Sequence, residues 1–228
     1  MLIVIEGLDG AGKSTQVRML RTYLEQRCSG VEYIHFPRYD APVYGDLISS
    51  FLRGDFGDID HVHPQLVALL YAEDRRDAAP AMRYAIESGS CVLLDRYVYS
   101  NIGYQCAKIA DADRRESLRK WILDTEYGPF GLPRPDLNLF LDVPIGFVEK
   151  KLAASRRGDD RDYLAGGSDI HEADIAFQKR VREVYLGQCE ADPGFVRIDC
   201  SDRDGNMLPP DVIFARIRAE VDKVIDRQ

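Results

Sequence analysis

Short runs of apolar residues alternate along the chain with longer segments in which apolar positions recur every three or four residues. The first pattern predicts strands buried on both faces, and the second predicts amphipathic helices. The predicted strands are 2–6, 31–36, 91–95, 136–143 and 195–200. The predicted helices are about 13–27, 43–53, 63–88, 98–109, 112–125, 144–155, 170–190 and 210–226. This order is typical of a three-layer α/β fold with a central five-stranded parallel sheet flanked by helices.

One polar segment interrupts the pattern. Residues 156–168 read RRGDDRDYLAGGS and offer little to bury. Such a segment is either a solvated surface loop or a mobile lid, here about 156–172, whose arginines meet phosphate when it closes. Since no internal repeat and no long linker divides the chain, residues 1–228 are predicted to form one domain.

Composition narrows the class of protein. Of the 228 residues, 45% are hydrophobic and 30% charged, as in ordinary globular proteins, and no apolar run nears the ~18 residues of a membrane span. The N-terminus resembles no signal peptide, and the five cysteines form no C-x-x-C pair, so we expect a cytoplasmic protein without disulfides. A net charge of −8 argues against a sequence-independent nucleic-acid binder. With 23 arginines against 7 lysines, the chain favours a small anionic substrate.

Residues 7–15 read GLDGAGKST, which matches the phosphate-binding pattern G-x-x-x-x-G-K-[ST] between a predicted strand and a predicted helix. Glycines let successive backbone N–H groups turn inward around a phosphate, and the helix N-terminus adds the positive end of its dipole. Lys13 is expected to reach the β- and γ-phosphates, and Ser14 to offer its hydroxyl to Mg²⁺. The predicted contacts to the ATP phosphates are Gly7, Asp9, Gly10, Ala11, Gly12, Lys13, Ser14 and Thr15.

Two observations favour phosphoryl transfer over hydrolysis. The sequence has no N-K-x-D motif to read guanine, and the third predicted strand ends in Asp95-Arg96 instead of two acids. A glutamate at this position would activate water for hydrolysis, whereas an arginine is suited to bind a second anion beside Mg²⁺. The acceptor is therefore expected to carry a phosphate of its own.

Aromatic and polar residues follow at helical spacing. Tyr71 and Arg75 stand four apart, and Asn101 and Tyr104 stand three apart, so each pair shares a helix face. An aromatic ring can stack on a nucleobase, and a hydrogen-bond donor on the same helix face can contact the edge of the base. Aromatic residues at this spacing are, however, often simply core residues. Phe36-Pro37-Arg38-Tyr39 closes the second strand, at the sheet edge where α/β proteins bind ligands.

The sequence resembles the thymidylate kinase family, whose members phosphorylate dTMP to dTDP with ATP. The resemblance rests on motifs that follow the family order through most of the chain: IEGLDGAGKST (5–15), FPRY (36–39), LLYAEDR (69–75), DRYVYSNIGYQ (95–105) and RPDLNLFLDV (134–143). The aspartate inside the phosphate loop and the strand-ending Asp-Arg-Tyr are its most specific part.

The resemblance implies a dTMP site. Asp9 would take the sugar 3′-hydroxyl, Arg96 with Arg38 or Tyr39 would hold the phosphate, and Tyr104 would lie under C2′ and select deoxyribose. Phe36 and Tyr71 would border the thymine ring, Arg75 would donate to its O4, and Asn101 would assist on the base edge. The dTMP-binding residues are thus Asp9, Phe36, Arg38, Tyr39, Tyr71, Arg75, Arg96, Asn101 and Tyr104.

The resemblance also implies the catalytic groups. Some members of the family carry an arginine in the phosphate loop where this chain has Gly10. In members with a glycine at this position, lid arginines instead neutralise the transferring phosphoryl group. The expected catalytic residues are Lys13, Arg96, Arg156, Arg157 and Arg161. The residues expected to act at Mg²⁺ are Ser14, Asp9, Asp95 and Glu172.

The sequence therefore predicts a cytoplasmic, Mg²⁺-dependent kinase that transfers the γ-phosphoryl group of ATP to dTMP. The resemblance adds a homodimer, and neither nucleic acid nor membrane is expected as a partner. Two alternatives stay open at this point. One is a related kinase for UMP, CMP or a deoxynucleoside, and the other is a regulatory module that only senses ATP.

Overall fold

The computed structural model describes residues 1–58, 61–154, 171 and 174–226. Its strands are β1 (Leu2–Gly7), β2 (Val31–His35), β3 (Cys91–Asp95), β4 (Leu137–Asp142) and β5 (Phe195–Asp199). Its helices are α1 (Lys13–Leu24), α2 (Tyr44–Leu52), α3 (Pro64–Glu87), α4 (Val98–Cys106), α5 (Ala112–Tyr127), α6 (Ile145–Ala154), α7 (Ile175–Ala191) and α8 (Pro210–Ile225). The predicted three-layer fold with a five-stranded parallel sheet is confirmed.

The five strands pair in the order β2-β3-β1-β4-β5, and every pairing is parallel. All residues of β1, β3 and β4 are buried, whereas β2 and β5 are partly exposed. The difference follows from position, because a central strand is covered on both faces and an edge strand is not. Helices α1 and α8 cover one face, and α3, α4 and α7 cover the other, with α5 packed against α3 and α4.

Three helix ends differ from the sequence expectation by three residues or more. Helix α1 ends at Leu24 instead of 27, and its end is closed by a hydrogen bond from Cys28 N to Leu24 O of 2.8 Å. Helix α4 ends at Cys106 instead of 109, because the chain continues as a turn. Helix α7 begins at Ile175 instead of 170, where the Asp174 side chain accepts a hydrogen bond from Ala176 N and caps the helix.

No helix in the described ranges combines the length and the apolar character needed to cross a membrane.

Candidate active site

The phosphate loop connects β1 to α1 at the carboxyl end of the central strand. Gly10 and Gly12 have φ angles of 71° and 78°, in the left-handed region that glycine adopts without strain. Their conformation turns the loop back on itself, so that Ala11 N donates to Leu8 O at 3.2 Å. Lys13 opens α1, and its ammonium donates to Leu8 O at 3.1 Å, while Ser14 is exposed. The loop therefore has the form that the sequence pattern predicts for a phosphate cradle.

Asp95 ends β3, next to β1 in the sheet. Its side chain is buried, and its Oδ1 atom has no hydrogen-bond partner among the described residues. Burial and the nearby Arg96 charge lower the pKa of the Lys13 ammonium, while the carboxylates of Asp95 and Asp9 oppose that shift. A buried carboxylate oxygen of this kind favours a bound cation or a water molecule.

Arg96 follows β3 and joins it to the phosphate loop. Its φ angle of 67° lies in the left-handed region, which is uncommon for residues other than glycine and clusters at functional sites. Its Nη1 atom donates to Gly7 O at 2.9 Å and to Ser100 Oγ at 3.1 Å, and its Nη2 atom donates to Asp9 Oδ1 at 2.5 Å. The guanidinium also lies 5.1 Å from the centre of the Tyr104 ring. These contacts hold one arginine between the phosphate loop and the neighbouring cleft.

The Asp9 carboxylate accepts hydrogen bonds from three side chains. Besides Arg96, Tyr104 Oη donates to Asp9 Oδ2 at 2.6 Å and Gln178 Nε2 donates to it at 2.9 Å. Burial alone would raise the pKa of this carboxyl, but the charges of Arg96 and Lys13 together with these hydrogen bonds lower it to about 2. Asp9 is therefore ionised at any working pH.

A cleft opens beside Arg96. Eight of the nine predicted dTMP-binding residues line it: Asp9, Phe36, Tyr39, Tyr71, Arg75, Arg96, Asn101 and Tyr104. The sequence analysis gave no binding role to the other lining residues: Pro37, Leu52, Ser100, Gln105 and His171. These residues have no shared chemistry or spacing, so no pattern in the sequence marks them.

Arg38 is the ninth residue, and it does not line the cleft. Its Nε atom donates to Asp74 Oδ1 at 2.9 Å and its Nη2 atom donates to Asp77 Oδ2 at 2.7 Å, so the guanidinium lies against α3. Of the two residues expected to help Arg96 with the phosphate, only Tyr39 lies at the cleft.

Two of the lining residues, Arg75 and Asn101, contact Glu126, a fully buried acid on α5. Arg75 Nε and Nη2 donate to the two carboxylate oxygens at 2.6 and 2.8 Å, and Asn101 Nδ2 donates to Glu126 Oε1 at 2.8 Å. The sequence analysis identified Arg75 and Asn101 but missed the acid that connects them.

Glu6 is a second buried acid that the sequence analysis missed, and it lies in the central strand beneath Arg96. Its carboxylate accepts hydrogen bonds from Tyr97 N at 2.9 Å, Ser100 N at 3.0 Å, the Ser100 hydroxyl, and Tyr185 Oη at 3.0 Å. Both backbone donors belong to the start of α4, so the Glu6 side chain caps this helix although Glu6 lies in β1. The only signal in the sequence is an acid inside an otherwise apolar strand.

His171 closes one side of the cleft among the rings of Phe51, Tyr104 and Phe177, with centroid distances of 5.2–5.5 Å. Burial and the charge of Lys108 lower its pKa well below the usual value, so its imidazole is neutral at physiological pH.

The remaining predicted residues, Arg156, Arg157, Arg161 and Glu172, lie outside the described residues. Within the described ranges, no three His, Cys, Asp or Glu side chains are grouped so that they could hold a metal ion. A metal ion bound at this site would therefore need ligands in addition to these side chains.

Comparison with known proteins gives one consistent family. The family model described as Thymidylate kinase matches residues 5–206. The chain is 34% identical to the thymidylate kinase of Clavibacter sepedonicus, over 99% of this chain and 96% of that protein. It is 33% identical to that of Mycobacterium tuberculosis, over 81% of this chain and 84% of that protein.

A solved structure of thymidylate kinase from Candida albicans has the same fold, with a TM-score of 0.73 and 28% identity, over 98% of this chain and 92% of that chain. The sequence relatives, the family model and this structural neighbour all indicate the same family. The chain therefore belongs to the thymidylate kinase family of nucleoside monophosphate kinases, which phosphorylate dTMP to dTDP.

Proposed function

We propose that this chain carries out the family reaction with ATP bound at the phosphate loop, dTMP bound in the cleft, and Arg96 between them. The observation that carries this assignment is the position of Arg96. Its guanidinium contacts the phosphate loop through Gly7 O and Asp9, and it also lines the cleft. A guanidinium held at this position is suited to bind the phosphate of the acceptor nucleotide, which would face the bound ATP.

The lining of the cleft supports one orientation of dTMP. The phosphate would lie at Arg96 and Tyr39, and the sugar at Asp9 and Tyr104. The base would lie between Phe36 and Tyr71, with its polar edge toward Arg75 and Asn101. Arg38 remains a candidate phosphate ligand only if it releases the bonds that it makes to α3.

Mg²⁺ fits the donor set. Mg²⁺ prefers oxygen ligands and is usually held by one or two carboxylates together with substrate phosphates. The buried Asp95 Oδ1, which lacks a described partner, and the exposed Ser14 hydroxyl meet this requirement, whereas Asp9 is already bonded to Arg96, Tyr104 and Gln178. The ion would neutralise charge on the ATP phosphates. Glu172 stays a predicted fourth member of this group.

The chain's own residues account for the remaining chemistry. The acceptor phosphate is already ionised, so transfer needs no strong general base. The transferring group carries charge on its equatorial oxygens, and positioned cations stabilise that charge. Lys13 and Arg96 lie at the site, and Arg156, Arg157 and Arg161 are proposed to complete it from the lid.

The decisive experiment is an ADP-release assay with ATP, Mg²⁺ and each nucleoside monophosphate in turn. We expect turnover with dTMP well above that with UMP, CMP, AMP or dCMP, and we expect Lys13→Ala to abolish it. Preferred turnover of another monophosphate would overturn the placement of thymine. ATP binding without turnover of any monophosphate would overturn the proposed kinase reaction of this chain and favour a regulatory module.

We also propose that residues 1–228 act as one domain and form a cytoplasmic homodimer. Two exposed apolar side chains on α3 support the dimer, since Leu66 and Tyr84 are 62% and 74% exposed. Light scattering after size-exclusion chromatography tests it. A dimeric wild type that becomes monomeric in Leu66→Glu/Tyr84→Glu would support this surface, and a monomeric wild type would exclude the dimer.

A further inference from the structure

Glu126 lies behind the cleft and not in its lining. It is the penultimate residue of α5, its side chain is completely buried, and its bonding partners Arg75 and Asn101 are 2% and 3% exposed. A buried carboxylate is costly unless it is paired and hydrogen-bonded, and here three donors satisfy it. Because both donor residues line the cleft, this acid determines what the cleft presents to a ligand.

The bonds to Glu126 fix the orientation of the Asn101 amide. Its Nδ2 atom donates to Ala68 O at 3.0 Å and to Glu126 Oε1 at 2.8 Å, so both amide hydrogens are used. A flipped amide would place its carbonyl oxygen against two acceptors. The Oδ1 atom is therefore held as an acceptor, and it is buried without a hydrogen-bond partner among the described residues.

The same acid fixes Arg75. Its Nε and Nη2 atoms are occupied by the carboxylate in a bidentate pair. No hydrogen bond links its Nη1 atom to another described residue, which leaves that group as a donor for a ligand. The base end of the cleft thus combines one donor and one acceptor, and Glu126 sets the polarity of both.

We propose that Glu126 is the positioning residue for base specificity, acting through Arg75 and Asn101. This inference rests on the proposed placement of the base. A pyrimidine with a 4-keto group and a protonated N3 matches a donor next to an acceptor. A 4-aminopyrimidine has the opposite pattern, with an acceptor at N3 and a donor at C4. It would leave buried polar groups unpaired, which discriminates strongly between ligands.

The test is Glu126→Gln, which keeps the shape and removes the charge. An amide at this position puts an NH₂ group against the Arg75 guanidinium in either orientation, because both carboxylate oxygens accept from Arg75. In one orientation the NH₂ group also faces the Asn101 amide, which would then have to flip and present a donor to the base. We expect kcat/KM for dTMP to fall and the dTMP-over-dCMP ratio of kcat/KM to drop by at least about tenfold. The KM for ATP should not change.

Asp74→Asn is the matched control. Asp74 is equally buried and also pairs with an arginine, but that arginine, Arg38, lies outside the cleft lining. We expect this variant to lose stability without a change in the ratio. A ratio that stays at the wild-type value in Glu126→Gln, or that falls equally in both variants, would overturn the inference and leave Glu126 as a structural counter-charge.

Glu126→Asp covers the case in which Glu126→Gln does not fold. It keeps the carboxylate but withdraws it, so kcat/KM for dTMP should fall while dTMP remains preferred over dCMP. Loss of that preference despite the retained charge would contradict the inference. Failure of the underlying proposal looks different, because the wild-type enzyme would then already accept dTMP and dCMP equally well.

Discussion

Arg96 and Asp9 form a salt bridge of 2.5 Å between the residue that follows β3 and the phosphate loop that follows β1. Both side chains are mostly buried, with 11% and 20% of their surface exposed. The pair therefore does more than a surface ion pair, because it fixes the position of the arginine that borders both parts of the site. It also maintains a residue with a left-handed φ angle at the end of a strand.

This pair makes the stability of the protein depend on pH through Asp9. The folded-state pKa of about 2 lies below the ordinary 3.8 of an aspartate. Ionised Asp9 therefore contributes about 2 kcal/mol in full above pH 5, and this contribution is lost as the pH falls toward 2. Urea unfolding at pH 7 and pH 3 should show that Asp9→Asn is less stable than wild type, by a difference that narrows at low pH. A difference that does not vary with pH would contradict this account of the pair.

Tyr104 tests the placement of the sugar. The Tyr104 hydroxyl donates to Asp9 and accepts from Arg96, so the ring is held at the cleft wall. We expect Tyr104→Ala to weaken the preference for dTMP over ribothymidine 5′-monophosphate, because the ring no longer excludes a 2′-hydroxyl. Tyr104→Phe keeps the ring and separates the contribution of the hydroxyl. If both variants retain the full preference in kcat/KM, the sugar binds elsewhere.

Gly45 tests the loop that carries Tyr39. A Cβ atom at Gly45 would lie 2.3 Å from Tyr39 O and 2.9 Å from Arg38 O, so a side chain displaces this backbone. Overpacking of this kind typically costs 1–3 kcal/mol. Because Tyr39 lines the cleft, we expect Gly45→Ala to raise the KM for dTMP about tenfold and to leave the KM for ATP unchanged.

Gly187→Ala is the control for this substitution. Gly187 lies in α7, and a Cβ atom there would meet nothing within 4 Å. Alanine is the better helix former, so this variant should be slightly more stable with an unchanged KM for dTMP. An equal rise of KM in both variants would show that the effect does not come from the Tyr39 loop.

Local sequence patterns predicted the elements but not the buried acids. The runs that form β1, β3 and β4 are mainly apolar because these strands are central, and the phosphate loop has its own local motif. The contacts of Glu126 reach 51 positions back to Arg75, and Gln178 reaches 169 positions back to Asp9. Such pairs arise from packing between elements that lie far apart in the sequence, which no spacing along the chain encodes.

Arg38 makes contacts that the sequence did not predict. The sequence places it next to the strand end, where ligands bind, and the resemblance gave it a phosphate. Its guanidinium instead meets Asp74 and Asp77, which lie on α3 one turn apart. A single sequence does not show which of several nearby acids an arginine will pair with.

The predicted lid is tested through kinetics. Arg156→Ala/Arg157→Ala should lower kcat by about 10³-fold with little effect on the KM for dTMP, because the proposed contact strengthens only in the transition state. Arg114→Ala, an exposed arginine on α5, serves as the control and should leave kcat near that of wild type. An effect of the double substitution on KM alone would exclude this role.

Glu6 predicts a pH dependence of stability opposite in sign to that of Asp9. Burial raises the pKa of Glu6 above its usual 4.5, despite the hydrogen bonds that favour its charged form. The stability that Glu6 contributes is therefore complete below pH 4.5 and is lost as the pH rises through the folded-state pKa. Glu6→Gln has no proton to lose at this position. The difference in unfolding free energy between wild type and Glu6→Gln should be largest at low pH and should shrink as the pH rises.

Glu87→Gln, at an exposed position that ends α3, should show no such trend. If the wild-type advantage over Glu6→Gln instead grew with pH, Glu6 would be stabilised as a carboxylate, and its hydrogen bonds to α4 would outweigh the cost of its burial.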